Sequence, residues 1–115
     1  MLYEKYLSIQ DRAFEYFQTF SEQDSEGLRS MFSDDVVLHD WDIIANGIDE
    51  VVQANQDIFD SVDTIVAEPL KTYLDNNVVI TELKIIINEE ETLLVTDIIE
   101  FNEFGKIKFV RAYKG

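Results

Sequence analysis

Leu93-Leu94-Val95-Thr96-Asp97-Ile98-Ile99-Glu100-Phe101 is the stretch that decides the fold. Side chains alternate across a strand, so Leu93, Val95, Asp97, Ile99 and Phe101 share one face. Four of these five are apolar, so the face is read as interior, with a carboxyl group set in an apolar wall. Polar turns bracket the stretch, at Asn88 to Glu91 before it and Asn102 to Gly105 after it. Working outward, Lys106 to Tyr113 and Val78 to Ile87 read as neighbouring strands. Thr64 to Tyr73 lies beyond the turn Asp75-Asn76-Asn77. Short turns between successive strands make an antiparallel meander. Pro69 cannot donate to a ladder, which predicts an edge or a bulge.

Upstream the periodicity changes from two to about 3.6. Tyr3, Tyr6, Leu7, Ala13, Phe14, Phe17 and Phe20 form one apolar stripe, a helix over 3–20, with Tyr16 at its edge. Asp24 is read as the N-cap of a short second helix burying Leu28, Met31 and Phe32. Ser33-Asp34-Asp35 is read as the break after it, and Val36 to Trp41 as a strand. Asn46-Gly47 is a turn signal. Ile48, Val51, Val52, Ile58, Phe59 and Val62 then recur at helical spacing, with Asp49 and Glu50 in the first turn. Asn55 falls on that apolar stripe, so its amide points toward the core. The expected whole is one α+β domain spanning 1–115. Three helices pack on a strongly bent, mostly antiparallel sheet that encloses one pocket.

The chain has 115 residues, enough to bury a core without staples. It has no cysteine, which removes disulfides, thiol catalysis and thiolate metal sites. A net charge of −15, from 24 acidic and nine basic residues, repels nucleic acid and anionic membranes. Solubility or a saline habitat accounts for that charge, and a basic partner is the alternative. The opening MLYEKYLSIQDRAFEYF carries scattered charges and does not read as a secretory signal, so a cytoplasmic location is expected.

Three side chains are candidates for chemistry. Asp97 sits among Leu93, Val95, Ile99 and Phe101, where desolvation raises a carboxyl pKa and favours the neutral acid. A structural aspartate bonded to backbone or to a neighbouring hydroxyl is the competing reading. Asp40 shares a face with Val36 and Leu38, and a strand-end aspartate also serves as a turn former. Tyr16 is packing with a hydroxyl that needs a partner if buried. His39, the only histidine, points to the face opposite Asp40, which argues against a His–Asp dyad and against a metal site.

The run from Tyr16 through Asp24, Leu28 and Met31-Phe32-Ser33-Asp34-Asp35-Val36-Val37-Leu38-His39-Asp40 is similar to the first half of ketosteroid isomerases. Asp97 to Ile107, with Arg111-Ala112-Tyr113, resembles the last hairpin of that family. The wider SnoaL-like, nuclear-transport-factor-2-like superfamily keeps such phrases in many activities. The resemblance implies a cystatin-like cone. It carries the family's aspartate base onto Asp40, its oxyanion-hole tyrosine onto Tyr16 and its neutral aspartic acid onto Asp97. The interval from Tyr16 to Asp40 matches without a gap. Trp41 stands where a proline commonly follows the base, and Asn55 where a helix tyrosine can support the oxyanion hole. These departures change the ligand.

The resemblance implies a pocket for a small apolar carbonyl or phenolic ligand. Trp41, Asn55, Phe59 and Phe101 are the expected ligand-binding positions. One reading is a cofactor-independent isomerase that shifts a proton next to a carbonyl. A non-catalytic binding or dimerisation domain is the second, and a dehydratase or cyclase the third. Neither metal nor organic cofactor is expected. Val78, Ile80, Ile86, Leu94 and Ile98 on the outer sheet face predict a homodimer through that face.

Overall fold

The computed structural model describes the backbone of residues 2–115 and side chains from Ile9 onward. Helix α1 (Leu2–Ser21) is the expected long helix. Tyr3, Tyr6 and Leu7 lie outside the described side chains. Its buried face is Ile9, Ala13, Tyr16, Phe17 and the partly buried Phe20, so Tyr16 belongs to the interior and Phe14, 39% exposed, does not. The stripe is rotated toward Tyr16 relative to the sequence reading.

Asp24 accepts a hydrogen bond from the Gly27 N–H at 2.9 Å and starts α2 (Ser25–Arg29). That helix ends sooner than expected. Phe32 already begins β1 (Phe32–His39), so the break falls at Ser30-Met31 and not at Ser33-Asp34-Asp35. A short β2 (Ile44–Asn46), not foreseen, pairs antiparallel with β1. Gly47 (φ 88°) then turns the chain into α3 (Ile48–Asp60), whose buried face is Val51, Val52, Asn55 and Phe59. The left-handed φ at this junction is one that glycine adopts at no steric cost.

Strands β3 (Ile65–Asp75), β4 (Val78–Ile87), β5 (Glu91–Phe101) and β6 (Ile107–Lys114) form the meander. The sheet order is β2-β1-β6-β5-β4-β3, with every pair antiparallel except β1 and β6. Pro69 lies on the edge strand β3, and the register shifts between Pro69 and Lys71. Further shifts fall between Glu100 and Phe101 and between Phe32 and Val37. Each such irregularity bends the ladder and adds twist, which lets one sheet wrap around a helix. The Ser21 hydroxyl fixes the wrap: it donates to the Phe17 carbonyl at 2.8 Å and accepts from the Ala67 N–H at 2.9 Å. This ties the end of α1 to the edge strand. The core lies between α1, α3 and the inner face of the sheet, where Val79, Leu83, Val95, Ile99 and Val110 are almost fully buried. Among the described residues, no helix is long and apolar enough to cross a membrane.

Candidate functional site

The helices do not fill the concave side of the sheet. A cavity of about 220 Å³ remains, walled by α1, α3, the turn after β1 and the inner faces of β3 to β6. Phe17, Phe20, Ile58, Leu83, Ile85 and Leu93 give it an apolar lining. Tyr16, Asp40, Asn55 and Asp97 bring polar atoms to the same space. Three elements distant in sequence thus deliver the three candidate chemical groups to one cavity.

Asp97 is 8% exposed and sits in register between Thr81 of β4 and Ala112 of β6. The Thr81 hydroxyl lies 3.3 Å from that of Thr72, within hydrogen-bond reach. Among the described residues none is hydrogen-bonded to the Asp97 carboxyl. Burial, and then the nearby charge of Asp40, push the pKa of Asp97 up to about 7. Around neutrality the group therefore still keeps its proton in part of the molecules, and at lower pH it is a hydrogen-bond donor.

Tyr16 is 5% exposed and stands edge-on to the rings of Phe17 and Phe32. Its hydroxyl likewise has no hydrogen-bonded partner among the described residues. Desolvation raises its pKa, and the charges of Asp97 and Asp40 raise it further, so it stays a phenol. Two donors without acceptors thus line one apolar cavity.

Asp40 follows the last residue of β1. Its Oδ1 accepts the N–H groups of Asp42 at 2.7 Å and Ile43 at 2.6 Å, and its own N–H donates to the Ile43 carbonyl at 2.9 Å. This locks the turn that carries Trp41 to the rim. Oδ2 makes no hydrogen bond to a described residue. The side chain is both turn former and cavity wall.

Of the expected ligand-binding positions, Trp41 and Asn55 line the cavity. Trp41 is 43% exposed at its mouth, with the Lys114 ammonium 5.6 Å from the ring centroid. Phe59 and Phe101 do not line it. Phe59 turns edge-on against Phe20 at 5.2 Å and fills the core beneath α3. Phe101 lies two residues past Ile99 on the inner face but beyond the cavity, beside a separate small hollow shared with Arg12 and Met31. The correct face did not give the correct depth. His39 is exposed on the outer face, edge-on to Phe109 at 5.2 Å, away from Asp40 as strand geometry requires. Ile85 at the cavity and Lys114 at its rim were not singled out by sequence, and Ile58 was read only as part of the apolar stripe of α3. The β4 register that pairs Ile85 with Leu93 was the available signal.

Residues 13–110 match the SnoaL-like domain family. No curated protein matches the sequence. Among solved structures, the chain resembles a Methylobium petroleophilum protein of unknown function with a cystatin-like fold. The TM-score is 0.83 at 14% identity, covering 96% of this chain and 77% of that one. It resembles a candidate isomerase of the SnoaL-like family from Agrobacterium tumefaciens, with TM-score 0.80 at 14% identity, covering 97% and 98%. It also resembles an epoxide hydrolase from M. tuberculosis, with TM-score 0.80 at 15% identity, covering 95% and 84%. Likeness at this identity carries the fold. The three helices, the curved mixed sheet and the family match over most of the chain agree: this protein belongs to the SnoaL-like domain family, with the cystatin-like α+β fold.

Proposed function

We propose that the cavity binds a small apolar molecule through a carbonyl or phenolic oxygen and moves a proton next to that carbonyl. The observation that carries this reading is the pair of buried donors, Tyr16 and Asp97, facing an apolar cavity with no acceptor of their own. A developing enolate oxygen supplies the missing acceptor for both. Asp40 as carboxylate takes the acidic C–H proton on Oδ2 and returns it at another carbon. Tyr16 and the neutral form of Asp97 hold the oxygen while it carries charge. The step as written calls on these three side chains alone.

A single-ring β,γ-unsaturated ketone, 3-cyclohexen-1-one, tests the proposal. Conversion to its conjugated isomer is followed by ultraviolet absorbance. Wild-type protein is expected to accelerate it and Asp40→Asn to abolish the acceleration while still binding phenol. Phenol binding without turnover, here and with a 5-ene-3-ketosteroid, overturns the catalytic step. It leaves a binding domain, which the turn-forming role of Asp40 Oδ1 favours. Neighbours named as an isomerase and an epoxide hydrolase fit a proton-transfer cavity, and a dehydratase or cyclase would use the same groups.

The outer sheet face is proposed to pair with a second copy. Val78, Ile80, Ile86 and Ile98 are only half-buried there, and Leu94 is 59% exposed. The buried Arg111 Nε on that face has no hydrogen-bond partner among the described residues. Sedimentation as a monomer at micromolar concentration would refute the pairing.

A further inference from the structure

Asn55 is a costly residue where it stands. It is 2% exposed on the buried face of α3, between Val51, Val52 and Phe59, where an apolar side chain would pack without loss. Its Nδ2 donates to the Val51 carbonyl at 2.9 Å. A carbonyl can only accept, so this bond fixes the orientation of the amide. Oδ1 is therefore the atom left over. It has no hydrogen-bond partner among the described residues, and Asn55 lines the same cavity as Tyr16 and Asp97. The cavity thus offers two donors and one separate neutral acceptor.

Size adds a second constraint. An apolar protein cavity of roughly 150 Å³ holds benzene, about 25 Å³ for each non-hydrogen atom. At that ratio the present cavity, of about 220 Å³ and open at Trp41, encloses about nine such atoms. That is one ring with short substituents, and about half of a four-ring skeleton.

We infer that the ligand of this cavity is a single-ring molecule that presents, besides its carbonyl or phenolic oxygen, a hydroxyl or N–H group donating to Asn55 Oδ1. The inference rests on the proposed oxyanion site and narrows its substrate class. An unsatisfied amide oxygen rejects a ligand without the donor, because burial strips the oxygen of water and gives nothing back. The apolar remainder of the wall, Ile58, Ile85 and Leu93 among it, leaves the rest of the ring to be hydrocarbon.

The test is calorimetric titration at pH 6, where Asp97 holds its proton, with phenol, catechol, resorcinol and hydroquinone. In wild-type protein one dihydroxybenzene is expected to bind about five-fold more tightly than phenol, the worth of one neutral hydrogen bond. In Asn55→Leu the ratio of dihydroxybenzene to phenol affinity is expected to fall to one or below, because the variant offers the second hydroxyl no acceptor and leaves no amide oxygen stranded by phenol. The wild-type comparison stands without the variant, so it decides even if the variant folds poorly. Equal affinity for phenol and all three isomers, or a preference that survives Asn55→Leu, overturns the inference and leaves the oxyanion site intact. Failure of all four to bind overturns both. A four-ring phenol is expected to bind more weakly than phenol, and tighter binding overturns the size limit.

Discussion

Asp97→Asn should flatten the pH dependence of stability, and the size of the effect follows from where the carboxyl sits. Folding moves the group out of water, into the apolar wall and near Asp40, which raises its pKa from 3.8 to about 7. Between those values the folded chain keeps a proton that the unfolded chain has released. The stabilisation is therefore complete below the unfolded pKa and is lost as pH rises through the folded one. Each pH unit inside the window removes about 1.4 kcal/mol, so the rise from pH 5 to pH 8 removes about 2–3 kcal/mol. Asparagine has nearly the same shape and no proton to lose. Urea unfolding of both proteins at intervals across that range measures the difference. The variant should gain about 2–3 kcal/mol on wild type between pH 5 and pH 8. Carbon NMR should show the Asp97 carboxyl titrating near pH 7 in the folded protein. Stability curves that run parallel, or a carboxyl already ionised at pH 5, would refute the assignment of a neutral acid.

Asp40 divides its two oxygens between jobs, so two substitutions should separate them. Asp40→Asn keeps an acceptor for the Asp42 and Ile43 amides and should preserve the melting temperature, whereas Asp40→Ala should cost about 1–3 kcal/mol by thermal or urea unfolding. Tyr16→Phe should lower kcat on an enolisable ketone about a hundred- to a thousandfold with little change in KM, because the donor serves charge that develops late. The rate should also fall as pH rises through about 7, where Asp97 loses its proton. Gly105 has φ 77° and an added Cβ would meet the Arg12 guanidinium, whose Nη1 donates to the Gly105 carbonyl at 2.9 Å. Gly105→Ala should cost about 1–2 kcal/mol, read as a lowered Tm with ligand binding unchanged.

Local pattern carried much of this fold. The four meander strands, the cap at Asp24 and the amide of Asn55 on a buried stripe all follow from period and turn chemistry. The inward face of Asp97 followed from strict alternation along β5. Long-range facts did not follow. Nothing local marks β1 as the parallel partner of β6, or the three residues Ile44–Asn46 as a strand, because both depend on ladders supplied by distant chain. Phe32 read as the end of a helix face because strand pairing with Ile107, not local spacing, sets its conformation. Phe14 and Tyr16 exchanged places because aromatic side chains mark a stripe without fixing its centre. Phe59 and Phe101 show the same limit at the site. Periodicity assigns a side chain to a face, whereas its distance along the element decides whether it meets a cavity or solid core.

The pairing of β1 with β6 also sets the order in which the protein can be assembled. Leu38 meets Ala45 of β2 on one side, but finds its partner on the other side only at Val110, after the whole meander has been made. Until the last strand arrives, Asp40 hangs from a strand that lacks its parallel neighbour, and the cavity has no closed wall on that side. A growing chain therefore carries one side of β1 as an open edge until the last strand is made, the condition under which strands seek wrong partners. Asp34 and Asp35, both exposed on that strand, place two negative charges along the waiting edge.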